Sequence, residues 1–186
     1  GMRGAMGEYA PSREDELAAA HDDDGSVIPH YQFLPAGAAG GYASVRDLRR
    51  FAMLHLGSPP AGSAHVLDPG AIDLIHGYGT EAGSLFGLGW GRAGGVHITN
   101  GAIRGANTAL ALVPDEDIAV VALVNGSGRQ ADEIALGAVA ALAPDAAASA
   151  FSAIEAYGAE VETPYAPSPD LTGVWKGELD GTHGTA

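Results

Sequence analysis

The sequence predicts an α+β fold: an antiparallel sheet of about three strands with flanking helices. Two β-prone apolar runs, 108–113 and Ile118–Val124, are separated by the short turn Pro114-Asp115-Glu116-Asp117, whose length and chemistry suit a hairpin and so make the runs antiparallel. Helix-period segments with recognisable start signals precede and follow these runs, at Ser44 and at Gln130. With 186 residues, 46% of them hydrophobic and 17% charged, the chain is long enough to bury one core.

The elements follow in order. The first thirty residues combine Arg13-Glu14-Asp15-Glu16 with Asp22-Asp23-Asp24-Gly25, which reads as solvated loop around at most one short helix. After the small residues 35–41, Ser44 is placed as an N-cap with Asp47 at the capping-box position. Val45, Leu48, Ala52 and Leu56 mark the apolar face, and Gly57 with Pro59-Pro60 ends the helix. Asp68 caps a second short helix with Pro69 at its first position and Ile72, Leu74 and Ile75 inside it. Residues 78–84 read as loop. Phe86, Leu88 and Trp90 alternate with glycines as a first strand, and Trp90 is expected in the core at the end of that alternation. The run 108–113 is the second strand, and Ile118–Val124, apolar throughout, is a third buried on both faces. Gln130–Leu142 is a helix covering the sheet, with Asp132 and Glu133 favouring its N-terminal dipole and Pro144 just past its end.

The tail changes character. Alanine-rich 145–159 suits a further helix, Pro164, Pro167 and Pro169 make a stiff linker, and 171–179 alternates like a strand. The expected organisation is one domain over 1–145, a helical or Pro-rich linker over 146–170, and the start of a truncated β domain over 171–186.

Composition excludes several functions. A formal charge of −14 with only nine Lys and Arg argues against nucleic-acid and anionic-membrane partners, leaving small molecules or other proteins. Without cysteine there are no disulfides and no thiolate metal sites. Seven histidines lack H-x-x-x-H or H-x-x-E-H spacing, and residues 22–25 are contiguous where a calcium loop alternates, so neither a metal nor any other cofactor is expected. No apolar run approaches the roughly 20 residues of a membrane span, and no secretory signal segment is recognisable.

Chemistry centres on Thr99-Asn100-Gly101-Ala102, followed by Ile103-Arg104-Gly105-Ala106-Asn107. A glycine-containing turn between strands presents backbone N–H groups to a cleft, where one donor stabilises an oxyanion by about 3 kcal/mol. The competing reading is a plain Gly-rich strand connection. Arg104 is a candidate contact for a substrate carboxylate, or an ordinary exposed loop arginine.

The succession Gly41-Tyr42-Ala43-Ser44-Val45-Arg46-Asp47-Leu48, Phe86-Gly87-Leu88-Gly89-Trp90, Asn100-Gly101 and Leu112-Val113-Pro114-Asp115 resembles the C-terminal half of serine β-lactamase-related proteins. The narrower likeness is to the class C β-lactamase, penicillin-binding protein and esterase group. The resemblance implies a partial β-lactamase/transpeptidase-like fold and a parent that hydrolyses an amide or ester of a small molecule or peptide through an acyl-enzyme. It places Thr99 on the Lys or His position of the family's Lys-Thr-Gly or His-x-Gly strand motif, Asn100 on the middle residue and Gly101 on the glycine, with Ala102 offering the oxyanion N–H. Thr99 departs from the pattern by supplying no cation. His97, two residues earlier on the same strand face, takes the basic role if the register shifts by two. Asn107 is a further candidate substrate contact.

The other two motifs are missing. The only lysine, Lys176, has Gly173 three residues before it, so no Ser-x-x-Lys exists, and none of the six tyrosines begins a Tyr-x-Asn. No catalytic nucleophile or base is therefore identified. The resemblance implies a fragment that begins after the Tyr-x-Asn position and is inactive alone, with a sheet edge exposed for homo-oligomer formation. The alternative is a degenerate, non-catalytic homologue that binds a ligand or protein. Family members are commonly periplasmic or on the cell surface.

Overall fold

The computed structural model describes residues 2–31, 36–59, 66–77 and 84–161. A 3-10 turn at Pro11–Glu16 leads into the small hairpin β1 (Ala20–His21) and β2 (Val27–Ile28). Helices α1 (Ala36–Ala39), α2 (Val45–His55) and α3 (Pro69–Gly77) follow. Then come β3 (Gly91–Ala93), β4 (Val96–Ile103), β5 (Ala106–Val113) and β6 (Ile118–Val124), which form a four-stranded antiparallel meander in chain order. Helices α4 (Gln130–Leu142) and α5 (Pro144–Val161) close the described chain.

The helix signals act as expected. Ser44 Oγ accepts the Asp47 amide at 3.2 Å, and Asp68 Oδ1 accepts the Gly70 amide at 2.8 Å, so both helix starts satisfy an otherwise orphaned donor. The β5–β6 connection is the expected hairpin, turning over Pro114–Glu116 with Asp117 left-handed at φ 54°. Between β3 and β4 the two-residue loop Gly94-Gly95 has φ values of 52° and 85°, the two positive angles that a type I′ turn demands.

One strand differs from expectation. Residues 86–90 are not a strand: Phe86 makes only an isolated bridge to Gly91 and is 67% exposed, and the first strand of the sheet begins at Gly91. The backbone there bonds a helix end instead, since Leu88 N donates to Ile75 O at 3.0 Å. Gly87 permits this approach, because a Cβ at that position would stand 2.7 Å from the same carbonyl. Trp90 is buried as expected, but against Phe51, Leu110 and Leu112. The sheet has four strands because 96–103, outside the three strands read from periodicity, is the strand on which the family resemblance placed His97 and Thr99–Ala102.

Alternation along β5 divides the core. Ala109, Ala111 and Val113 face α4 and α5 together with Ala131, Ala135 and Val139, while Leu110 and Leu112 face α2 with Ala52 and Trp90. Alanine on both sides of the first interface lets α4 approach the sheet closely. On the second face larger side chains fill the space, and a fully buried leucine such as Leu112 contributes about 2 kcal/mol. Ala146, Ala147 and Ala150 extend the first layer, so the helical part of the expected linker packs on the domain.

The N-terminal segment is more ordered than a solvated loop. Asp22 to Gly25 does turn in the open, but His21 docks beside β6, its N–H donating to Asn125 O and its C=O accepting from Ser127 N, both at 3.1 Å. Ile28 is buried. Most of the expected 78–84 loop, the Pro-rich linker and the strand-like 171–179 lie outside the described residues.

Candidate functional site

β4 is paired unequally along its two edges. β5 follows its whole length, from His97 opposite Leu112 to Ile103 opposite Ala106, whereas β3 covers only Val96, His97 and Ile98. Arg92 N donates to Leu85 O, on the side away from β4, so Gly91–Ile98 and Ala93–Val96 are the hydrogen-bonded pairs across that edge. By alternation the backbone groups of Asn100 and Ala102 face the same edge, where no described strand meets them, and those of Thr99 and Gly101 bond β5. Two amide N–H groups about 7 Å apart thus line an open strand edge. Thr99–Ala102 thus lie on a strand, as the resemblance implied, and the glycine-bearing turn between strands falls at Arg104-Gly105.

Side chains follow the same alternation. Asn100 lies toward α4, its Nδ2 donating to Asp132 Oδ1 at 2.9 Å, while Arg129 Nε donates to the other Asp132 oxygen at 3.1 Å. A cavity of about 60 Å³ opens there, bordered by Asn100, Gly101, Ala102 and Asp132. Thr99 lies on the opposite face with His97.

Of the remaining candidates, Asn107 borders the same cavity and Arg104 is held away from it. Arg104 is ion-paired with Asp22, Nε to Oδ2 at 3.0 Å, an arrangement that raises the guanidinium pKa and lowers that of the carboxyl. Asn107 is 2% exposed and acts as a clamp: Oδ1 accepts the Ala131 amide at 2.7 Å, and Nδ2 donates to Gly126 O at 2.8 Å and to Gln130 Oε1 at 3.2 Å. Arg129, the N-cap of α4, makes no side-chain cap bond, so Asn107 caps that helix from across the sheet.

His97 belongs to a cluster that the chain order conceals. His55 Nδ1 and His76 Nε2 are 3.0 Å apart, the His76 and His97 rings meet edge-on at 4.5 Å, and Trp90 packs against the first two. All three histidines are more than nine-tenths buried. Burial pushes His55 and His97 down to about 4, with His76 adding to both and Arg92 to His97; burial and Arg92 also push His76 down. At neutral pH the cluster is therefore uncharged. His97 Nδ1 is buried without a partner. A cavity of about 480 Å³ borders the three imidazoles, Arg92 and Ile72. Among the described residues no group of three or more histidine or acidic side chains is placed to hold a metal ion. His55 and His76 close two different helices 21 residues apart, a separation that carries no local sequence signal.

No described helix is long and apolar enough to cross a membrane. No curated protein matches the sequence. The family model described as Beta-lactamase matches residues 2–144 and so covers the helices α1 to α3, the sheet and α4. An antiparallel sheet with helices on both faces and a Gly-bearing strand open along one edge fits that match, and the chain belongs to the β-lactamase family.

Proposed function

We propose that the open half of β4 is the oxyanion-side strand of a β-lactamase-like serine hydrolase site. The observation that carries this reading is the unshared backbone edge of Asn100 and Ala102. Ala102 N–H follows Asn100-Gly101 at the place the family motif gives to the oxyanion donor. A fixed amide there stabilises the tetrahedral intermediate of acyl transfer from an amide or ester by about 3 kcal/mol, because it is aimed before charge develops. Thr99 offers a hydroxyl in place of the family's cation, so it positions an acyl group without attracting a carboxylate.

The 186 residues hold no Ser-x-x-Lys, and a serine without an adjacent base is a poor nucleophile at neutral pH. The chain alone is accordingly expected to be inert. Intact-mass measurement after incubation with a reactive β-lactam, and separately with a fluorophosphonate, tests this: no adduct is expected, and a stoichiometric adduct on one serine would overturn it. Joined to a segment supplying the family's Ser-x-x-Lys and Tyr-x-Asn motifs, the chain is expected to support acylation. In that context Ala102→Pro, which deletes the amide N–H, should slow acylation about 100-fold, and an unchanged rate would refute the role of Ala102.

A second reading, a non-catalytic ligand- or protein-binding module, is favoured by the histidine-lined cavity, which lies away from the open edge. The outer edge of β6 supports self-association, since it has no described partner strand and Ile118–Val124 carries neither charge nor proline to block pairing.

A further inference from the structure

We propose that the cavity between α2, α3 and the sheet is a binding site for a small carboxylate carrying an apolar body, held by Arg92 and His97. The inference is independent of the acyl-transfer reading. Its volume of about 480 Å³ lies within the range of small-molecule sites. Leu54, Leu56 and Ile72 supply apolar wall; Arg92 and His97 enter from the sheet, and His55, Asp73 and His76 from the two helices.

Register explains the convergence. Arg92 and His97 are direct cross-strand partners on β3 and β4, and they form a non-hydrogen-bonded pair, so their side chains project together from one face. Both border the cavity. The Arg92 guanidinium meets no carboxylate within ion-pair distance among the described residues, and its contact is Nη1 at 3.5 Å from His76 O. Arg3, Arg46 and Arg49 likewise lack an ion pair among the described residues, so what sets Arg92 apart is its place on the cavity wall directly opposite His97. A carboxylate is the planar, bidentate acceptor that its fork matches.

His97 adds a donor. Its Nδ1 is enclosed without a partner, and a buried N–H left unmade costs more than an idle lone pair, so the proton resides on Nε2. His97 borders the cavity, and the Nε2 proton is the donor its ring has to offer there. Burial and the neighbours hold the ring neutral. His76, Arg92 and His55 disfavour a charge on His97, Asp115 opposes them, and Asp73 does the same for His76. A second proton would fall on the enclosed Nδ1, so the ring stays neutral and donates from Nε2 to the bound carboxylate.

Benzoate is a suitable probe, with benzamide as its uncharged counterpart of equal shape. Trp90 reports occupancy, because it packs against His55 and His76, and Trp175→Phe removes the other tryptophan. Saturable change of Trp90 fluorescence by benzoate is expected with Kd of about 1 mM, about tenfold weaker for benzamide and about tenfold weaker for benzoate after Arg92→Gln. Near-ultraviolet circular dichroism confirms that Arg92→Gln keeps the Trp90 environment. Equal binding of benzoate and benzamide, indifference to Arg92→Gln, or no saturation by about 50 mM would each overturn the assignment.

Discussion

Acidification perturbs the histidine cluster directly. In the unfolded chain an imidazole titrates near 6.5, and in the fold His55 and His97 titrate at about 4. Because the folded values are depressed, the unfolded state takes up protons first as pH falls. The contribution to stability is therefore complete above about pH 6.5, declines as pH falls toward about 4, and levels off below that. At about pH 5 each imidazole removes about 2 kcal/mol, so the pair sets an upper bound of about 4 kcal/mol. Water in the adjoining cavity screens part of this, and a loss of about 2 kcal/mol between about pH 7.5 and about pH 5 is expected. His76, also depressed, acts in the same direction. Glu16, Asp22 and Asp24, lowered chiefly by their hydrogen-bond partners, act only at lower pH, so the upper window belongs to the cluster. Urea unfolding followed by tryptophan fluorescence across that window measures it. In the double variant His55→Gln/His97→Gln the dependence should flatten. An unchanged midpoint in the parent chain, or the same slope in the double variant, would refute the reasoning.

Other residues give equally direct tests. Asn107→Leu leaves the Ala131 amide and the Gly126 carbonyl unpaired at a buried position and should cost about 3 kcal/mol in urea unfolding; a loss below about 1 kcal/mol would contradict the clamp role. Gly105→Ala places a methyl 2.8 Å from Ala20 Cβ and 3.0 Å from Ile28 Cδ1 at a φ of 86°, and limited proteolysis should detect release of the β1–β2 hairpin, with stability falling by about 2 kcal/mol. Amide hydrogen exchange should be fast at Asn100 and Ala102 and slow at Thr99 and Gly101; uniform protection of all four would remove the open edge. Sedimentation velocity should show concentration-dependent association that Ala119→Lys, placing a charge on exposed β6 surface, weakens; a monomer at all concentrations would exclude edge pairing.

How far the fold was legible depended on the range of each signal. Ser44 with Asp47, Asp68 with Pro69, and Gln130 with Asp132 and Glu133 are contained within one helical turn, and the helices start where those residues indicate. The Pro114–Glu116 turn is just as local, so the β5–β6 pairing was readable. Phe86, Leu88 and Trp90 misled because alternation states only that a segment is extended. What bonds the backbone of Leu88 is the end of α3, and nothing in the five residues encodes that.

The candidate site divides along the same line. Gly101 and Ala102 could be placed on a functional strand because their motif is contiguous, yet the reason the strand edge is open lies before β3, which begins only at Gly91, opposite Ile98, because Leu88 bonds the end of α3 instead. Asn107, adjacent to the motif and polar, borders the cavity beside the motif residues, and only the fold shows that its three hydrogen bonds go to Gly126, Gln130 and Ala131. The histidines are the extreme case. His55, His76 and His97 come from two helices and a strand, each spaced about 21 residues from the next, and they meet because both helices end over the same face of the sheet. A periodicity within one element detects a face. The chemistry at a junction of three elements becomes visible only when register and packing are known, and there His97 and Arg92 acquire a relation that neither residue's sequence context contains.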